Sequence, residues 1–200
     1  IKVFADDSDP GDGYGPRGTS DDIADGILWA VLNNAHVINA SLGGGYSLAE
    51  DTAVQAANTA GVIIVAAAGN DGDNIDSSPT YPASFSLLYN NVITVMATDD
   101  IDTPAWYTNT GATSVDLAAP GGEGSSTSGI LSTVPGDNTY DRYQGTSMAA
   151  PHVAGAIGLM LSVDPNLTVN EIKGFMSHPL MVDRLASLDG LCVAEGRLNI

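Results

Sequence analysis

Gly145-Thr146-Ser147-Met148-Ala149-Ala150-Pro151-His152-Val153-Ala154-Gly155 is the stretch on which the reading of this sequence turns. It puts a serine at the amino end of an apolar helix of small residues, expected from about Ser147 to Leu161 and ended before Pro165. The start of a helix carries unpaired backbone N–H groups and a partial positive charge, so an anion that develops there is stabilised. Gly145, Ala149, Ala150 and Gly155 let neighbouring backbone approach closely. Pro151 is tolerable because it falls in the first turn or so, where few hydrogen bonds are lost. Taken alone, a serine in this place is ordinarily a helix cap.

Outward from that helix, strand and helix signals alternate. Val62–Ala68 is a continuous apolar run, the pattern of a strand covered on both faces, and it ends in Gly69-Asn70-Asp71-Gly72. Before it, Leu48–Ala60 reads as an Ala-lined helix stopped by Gly61. His36–Leu42 reads as an apolar strand running into Gly43-Gly44-Gly45. Thr19 or Ser20 caps a helix whose Ile23, Ile27 and Val31 recur every four positions, with Asp21 and Asp22 at its positive end. Lys2–Phe4 reads as a strand and Asp6–Gly18 as a loop. Further on, shorter strands are expected at Val92–Met96, Val115–Leu117 and Ile130–Val134, and a last helix at Thr168, where Glu171 completes a capping box. The expectation is one α/β domain over residues 1–200, a three-layer, mostly parallel sheet with helices on both faces. In such sheets function collects at the carboxyl ends of the strands, where the segments after Leu42 and Ala68 sit.

Composition narrows the function classes. Six Lys and Arg against 24 Asp and Glu give a net charge of −18, which repels nucleic acid and anionic membranes. No uninterrupted apolar run approaches the ~20 residues of a membrane span. Cys192 is the only cysteine, so neither an intrachain disulfide nor a cysteine metal cluster can form. A dinucleotide site would need Gly-x-Gly-x-x-Gly after a strand, and Gly43-Gly44-Gly45 does not supply it.

The eleven residues 145–155 closely resemble the nucleophile motif of the subtilisin-like serine proteases. They are not the Gly-x-Ser-x-Gly elbow of α/β-hydrolases, because Ala149 takes the final glycine position. The resemblance makes Ser147 the nucleophile and Asn70 the oxyanion-hole donor, and it makes His152 structural. His152 lies about 140° around the helix from Ser147 in any case. His36 and His178 lie in no catalytic motif. The segment 37–44 resembles the strand that pairs with substrate and lines the first specificity pocket, so Ser41, Leu42, Gly43, Ala68 and Gly69 are expected at that pocket and Thr80 at its base. Thr80 stands where relatives often have glycine, which predicts a shallower pocket. Asp71 would favour a basic residue there, with a solvated turn acid as the plainer alternative. Residues 115–121 and 196–199 also match family segments in order, so the resemblance spans the chain.

The same resemblance implies a weak structural calcium or monovalent-cation site from the carbonyls of Ala83, Phe85 and Val92 with the carboxylate of Asp116. The run Asp71-Gly72-Asp73-Asn74 looks like part of a calcium loop but lacks the twelve-residue pattern. The family's Asp-Ser/Thr-Gly and His-Gly-Thr-His motifs do not occur in the sequence. In the family both precede the region that Ile1–Phe4 resembles, so the chain reads as the C-terminal part of a secreted endopeptidase domain. Its partners would be a polypeptide substrate and the missing N-terminal part of its own domain. A non-catalytic peptide-binding module on the same fold is the alternative.

Overall fold

The computed structural model describes residues 18–124, 128–137 and 139–199, and the strand expected at Lys2–Phe4 lies outside them. The reason Val62–Ala68 is apolar at every position lies in the sheet it enters. Strand β2 (Ile63–Ala67) runs between β1 (Val37–Ala40) and β3 (Val92–Thr98), parallel to both, with Val65 opposite Asn39 on one side and Ile93 on the other. Parallel pairing continues through β4 (Leu117–Pro120) to β8 (Gly196–Leu198), and the antiparallel edge strand β7 (Val182–Arg184) closes the order β1-β2-β3-β4-β8-β7.

Side chains alternate across this sheet. Ile64, Ala66 and Ala68 enter one core with helices α1 (Ser20–Leu32) and α2 (Leu48–Ala60). Ile63, Val65 and Ala67 enter the other with α3 (Thr146–Val163) and α4 (Val169–Phe175). The three layers expected from the sequence are therefore present. Two capping boxes hold, Thr19 with Asp22 and Thr168 with Glu171, and Gly61 ends α2 in the left-handed conformation at φ 74°. Helix α3, 18 residues with mean hydropathy 1.3, is long and apolar enough to cross a membrane by length and composition. Here its Ala149, Ala150, Val153, Ala156 and Ile157 are buried against the sheet.

Two expectations are corrected. The strand expected at Val115–Leu117 begins at its last residue and runs on to Pro120, because Pro120 can still occupy a strand end without donating. The strand at Ile130–Val134 exists as β5 (Ile130–Thr133) but leaves the main sheet, pairing antiparallel with β6 (Tyr140–Tyr143) in a separate hairpin. Both strands of that hairpin are largely exposed, which is why they carry no buried apolar stripe.

One buried acid carries a pH dependence. Glu50, in the first turn of α2, is 2% exposed, and its Oε1 has no hydrogen-bond partner. Burial pushes its carboxyl from the ordinary 4.5 up to about 7. A raised carboxyl favours the folded state while it stays protonated, so this contribution is full below about 4.5 and is lost as pH rises through about 7. Glu50→Gln keeps the shape of the protonated acid and removes the titration. Urea unfolding should show the variant gaining on wild type by roughly 3 kcal/mol between pH 4.5 and pH 8.

Candidate active site

Ser147 reaches the surface where three carboxyl-terminal segments meet. Gly145, the residue before α3, has φ 147°, a conformation that glycine adopts without strain, and its N–H donates to Gly121 O at 3.0 Å. That turn sets Thr146 and Ser147 in the first turn of α3, beside the ends of β1 and β2. The N–H of Ser147 is among the four that an α-helix leaves without an internal partner.

Asn70 follows β2 and is tied to the residue before the serine. Its Oδ1 accepts from the Thr146 N–H at 2.8 Å and from the Thr146 hydroxyl at 3.0 Å. The Thr146 hydroxyl in turn accepts from Gly69 N at 3.1 Å. With Oδ1 committed twice, the amide orientation is set, and Nδ2 is the group left to donate into the cleft. Gly69 takes φ 106°, and a Cβ there would collide with the amide of Asn109. Asn109 braces the whole turn, with Nδ2 donating to Ala68 O at 2.9 Å and Oδ1 accepting from Asp71 N at 3.0 Å and Asp73 N at 2.9 Å. Thr146 and Asn109 are the site residues that the sequence reading missed.

A hollow of about 330 Å³ opens beside Ser147, lined by Leu42, Gly43, Gly69, Asn70, Asp71 and Thr80. Of the pocket residues expected from the sequence, Leu42, Gly43, Gly69 and Thr80 are thus brought together. Ala68 and Ser41 do not line that hollow. Ala68 is fully buried, because strand alternation turns it into the α1–α2 core. Ser41 turns its hydroxyl to Ser147 O at 2.8 Å. Backbone bonds Gly44 N→Tyr81 O at 2.8 Å and Tyr81 N→Gly44 O at 2.9 Å hold the two walls together. The Thr80 hydroxyl donates to Gly44 O at 3.3 Å and takes up space that a glycine would leave. A second hollow of about 520 Å³, lined by Arg142, Tyr143, Gln144 and Met148, also borders Ser147.

No histidine among the described residues is hydrogen-bonded to Ser147. Among the described residues its hydroxyl makes one bond, a 3.5 Å contact to Ser41 O. His152 borders a third hollow beside Ser147, but its Nδ1 is engaged by Met148 O at 2.8 Å. His178 accepts from Leu180 N at 3.2 Å with its own Nδ1.

Protein donors stand around the oxygens of the expected cation site. The Lys173 ammonium donates to Val92 O at 2.9 Å and lies 3.2 Å from Asp116 Oδ1. Asp116 Oδ2 accepts from Thr94 N at 2.8 Å, Ala83 O from the Thr94 hydroxyl at 2.7 Å, and Phe85 O from Leu88 N at 2.9 Å. The ammonium thus holds the place a cation would take between Asp116 and Val92, and burial still pushes the Asp116 carboxyl up despite Lys173. Around Asp71–Asn74, likewise, no cluster of three metal-ligating side chains forms among the described residues.

A serine at the amino end of a central helix, facing an oriented amide at the end of a parallel strand, defines an α/β protein built around a candidate nucleophilic serine. The chain belongs to the subtilase family, peptidase S8, whose family model matches residues 10–188. It is similar to an extracellular protease of Xanthomonas campestris pv. campestris, 42% identical over 160 residues that cover 74% of this chain and 26% of that protein. Subtilisin DY of Bacillus licheniformis is 41% identical over 162 residues, covering 80% of this chain and 55% of the relative. Among solved structures, a protease of Pseudoalteromonas arctica superimposes with TM-score 0.73 at 34% identity, covering 91% of this chain and 57% of that one. A cold-adapted subtilisin-like serine proteinase gives TM-score 0.74 at 32% identity, covering 91% and 62%. The chain thus spans between about a quarter and a little over half of the length of these curated relatives.

Proposed function

We propose that the intact protein is a secreted serine endopeptidase and that Ser147 is its nucleophile. The observation that carries this reading is the doubly anchored Asn70 amide, which leaves Nδ2 and the Ser147 N–H as two donors beside one hydroxyl. An extended substrate lies along Leu42–Gly44, with the side chain on the acyl side of the scissile bond in the hollow that Thr80 narrows. The Ser147 Oγ adds to the carbonyl carbon while a histidine takes its proton, and the oxyanion receives the two N–H donors. The tetrahedral adduct expels the amine, protonated by the same histidine, and water then hydrolyses the acyl ester. The histidine and its aspartate are contributed by a part of the protein outside this sequence. Asp71, on the wall of the same hollow, favours a basic side chain there. Met148 lines a hollow that Ser147 also borders, so mild peroxide should lower activity by forming its sulfoxide.

Labelling with a fluorophosphonate probe, followed by peptide mapping, tests the reading. The intact protein from its source should label at Ser147, and the present chain alone should label far more slowly. If the intact protein also fails to label, the catalytic reading falls and a peptide-binding module without chemistry takes its place.

A further inference from the structure

Proline inside a helix removes an N–H, and the carbonyl four residues earlier loses its partner. In α3 that proline is Pro151, which lies in the second turn and not in the first as the sequence suggested, and the carbonyl it leaves free belongs to Ser147 itself. The carbonyl is not left idle. The Ser41 hydroxyl, arriving from the loop after β1, donates to it at 2.8 Å across 106 residues of sequence. The direction of that hydroxyl is set as well, because the Asn39 amide donates to Ser41 Oγ at 2.9 Å and turns its proton toward Ser147. In the reverse sense the Ser147 hydroxyl faces Ser41 O at 3.5 Å. The two serines clasp each other through both main chain and side chain.

We infer that Ser41 is a positioning residue for the nucleophile, acting through the Ser147 carbonyl that Pro151 leaves open, with Asn39 aiming its hydroxyl. This rests on Ser147 being the nucleophile. The chain Asn39–Ser41–Ser147 joins the end of β1, which carries one wall of the substrate hollow, to the first turn of α3. Wall and nucleophile then move as one body, and the attack distance is held when substrate binds. A loose nucleophile at a correctly formed wall lowers the rate of attack more than it lowers binding.

The test is a double-mutant cycle in the intact protein, read as active-site-titrated kcat and KM on a peptide amide and as the rate of fluorophosphonate labelling. Ser41→Ala should lower kcat and labelling rate about 10-fold, the size of one lost hydrogen bond, with KM within about 2-fold of wild type. Ser41→Thr, which keeps the hydroxyl, should recover most of the loss. Pro151→Ala returns the helical N–H to the Ser147 carbonyl, so in that background Ser41→Ala should cost less than about 2-fold. The inference is overturned if Ser41→Ala costs the same in both backgrounds, or if titration shows a smaller active fraction with unchanged kcat. Should Pro151→Ala fail to fold, Asn39→Ala supplies the second arm, and its loss should not add to that of Ser41→Ala. Wild-type protein that does not label at all would instead sink the underlying protease reading.

Discussion

Ser147→Ala in the intact protein should lower kcat on a peptide substrate by about 10⁶-fold, and Asn70→Ala by about 10²–10³-fold, with KM changed far less in both. Those magnitudes were measured on subtilisin, itself a member of this family, and are carried over. The geometry here explains why the two should differ and why they should not multiply. On the proposed reading Ser147 forms and breaks the covalent bond, so its loss would remove the acyl-enzyme route altogether. On the same reading Asn70 would supply one of two oxyanion donors, the other being the Ser147 N–H, so its loss would weaken one charge-stabilising contact. Its other role is structural, since Oδ1 holds the Thr146 N–H and hydroxyl. Asn70→Asp would keep that acceptor and lose the donor. Steady-state kinetics should therefore show Asn70→Asp at least as damaged as Asn70→Ala in kcat while its melting temperature stays closer to wild type. If Asn70→Asp retained wild-type kcat, the amide would not be an oxyanion donor.

How much of this was legible in the sequence depended on where each contact lies along the chain. Helices α1 and α2 and strands β2 and β3 were readable because burial leaves a mark on the sequence: Ile23, Ile27 and Val31 recur on one face, and β2 is covered on both sides and so is apolar throughout. Strands β6, β7 and β8 were not, because Tyr-Asp-Arg-Tyr, Val-Asp-Arg and Gly-Arg-Leu are too short and polar to show alternation. Ser147 and Asn70 were visible only through family resemblance, since each alone reads as a cap or a turn. Thr146 and Asn109 were missed because their work is done 76 and 38 residues away, and local sequence calls both ordinary loop or helix-start residues. Ser41 was expected at the pocket, and its hydroxyl bonds to the Ser147 carbonyl, a contact that the sequence did not suggest. The signal for that was present in Pro151, which announces an unpaired carbonyl at Ser147 to anyone counting back four residues.

Lys173 is the residue whose role most changes when the fold is known, and its removal should produce the largest loss of stability. On α4 it would pass for a surface lysine, yet its ammonium bridges Asp116 and Val92 O beneath the sheet, with side chains 21% and 10% exposed in the charged pair. Lys173→Met keeps the aliphatic stem and deletes the charge, which leaves a buried carboxylate without a counterion. Breaking such a pair costs about 3–5 kcal/mol, whereas neutralising both partners costs much less. Urea unfolding of the intact protein should show that loss for Lys173→Met and recovery of most of it in Lys173→Met with Asp116→Asn, whose side-chain oxygen can still accept from Thr94 N. The pH dependence has a definite sign. Burial already raises the Asp116 carboxyl, and without Lys173 it rises further, so protonation relieves the variant first as pH falls. The gap to wild type should therefore be widest at neutral pH and close toward the carboxylate range. Calcium supplies the remaining discrimination. If the ammonium stands in for a bound cation, added calcium should raise the melting temperature of Lys173→Met more than that of wild type, because only the variant has vacated the oxygens of Asp116 and Val92. Equal responses would mean that the ammonium is an ordinary buried ion pair and that these oxygens are not built to hold a metal at all.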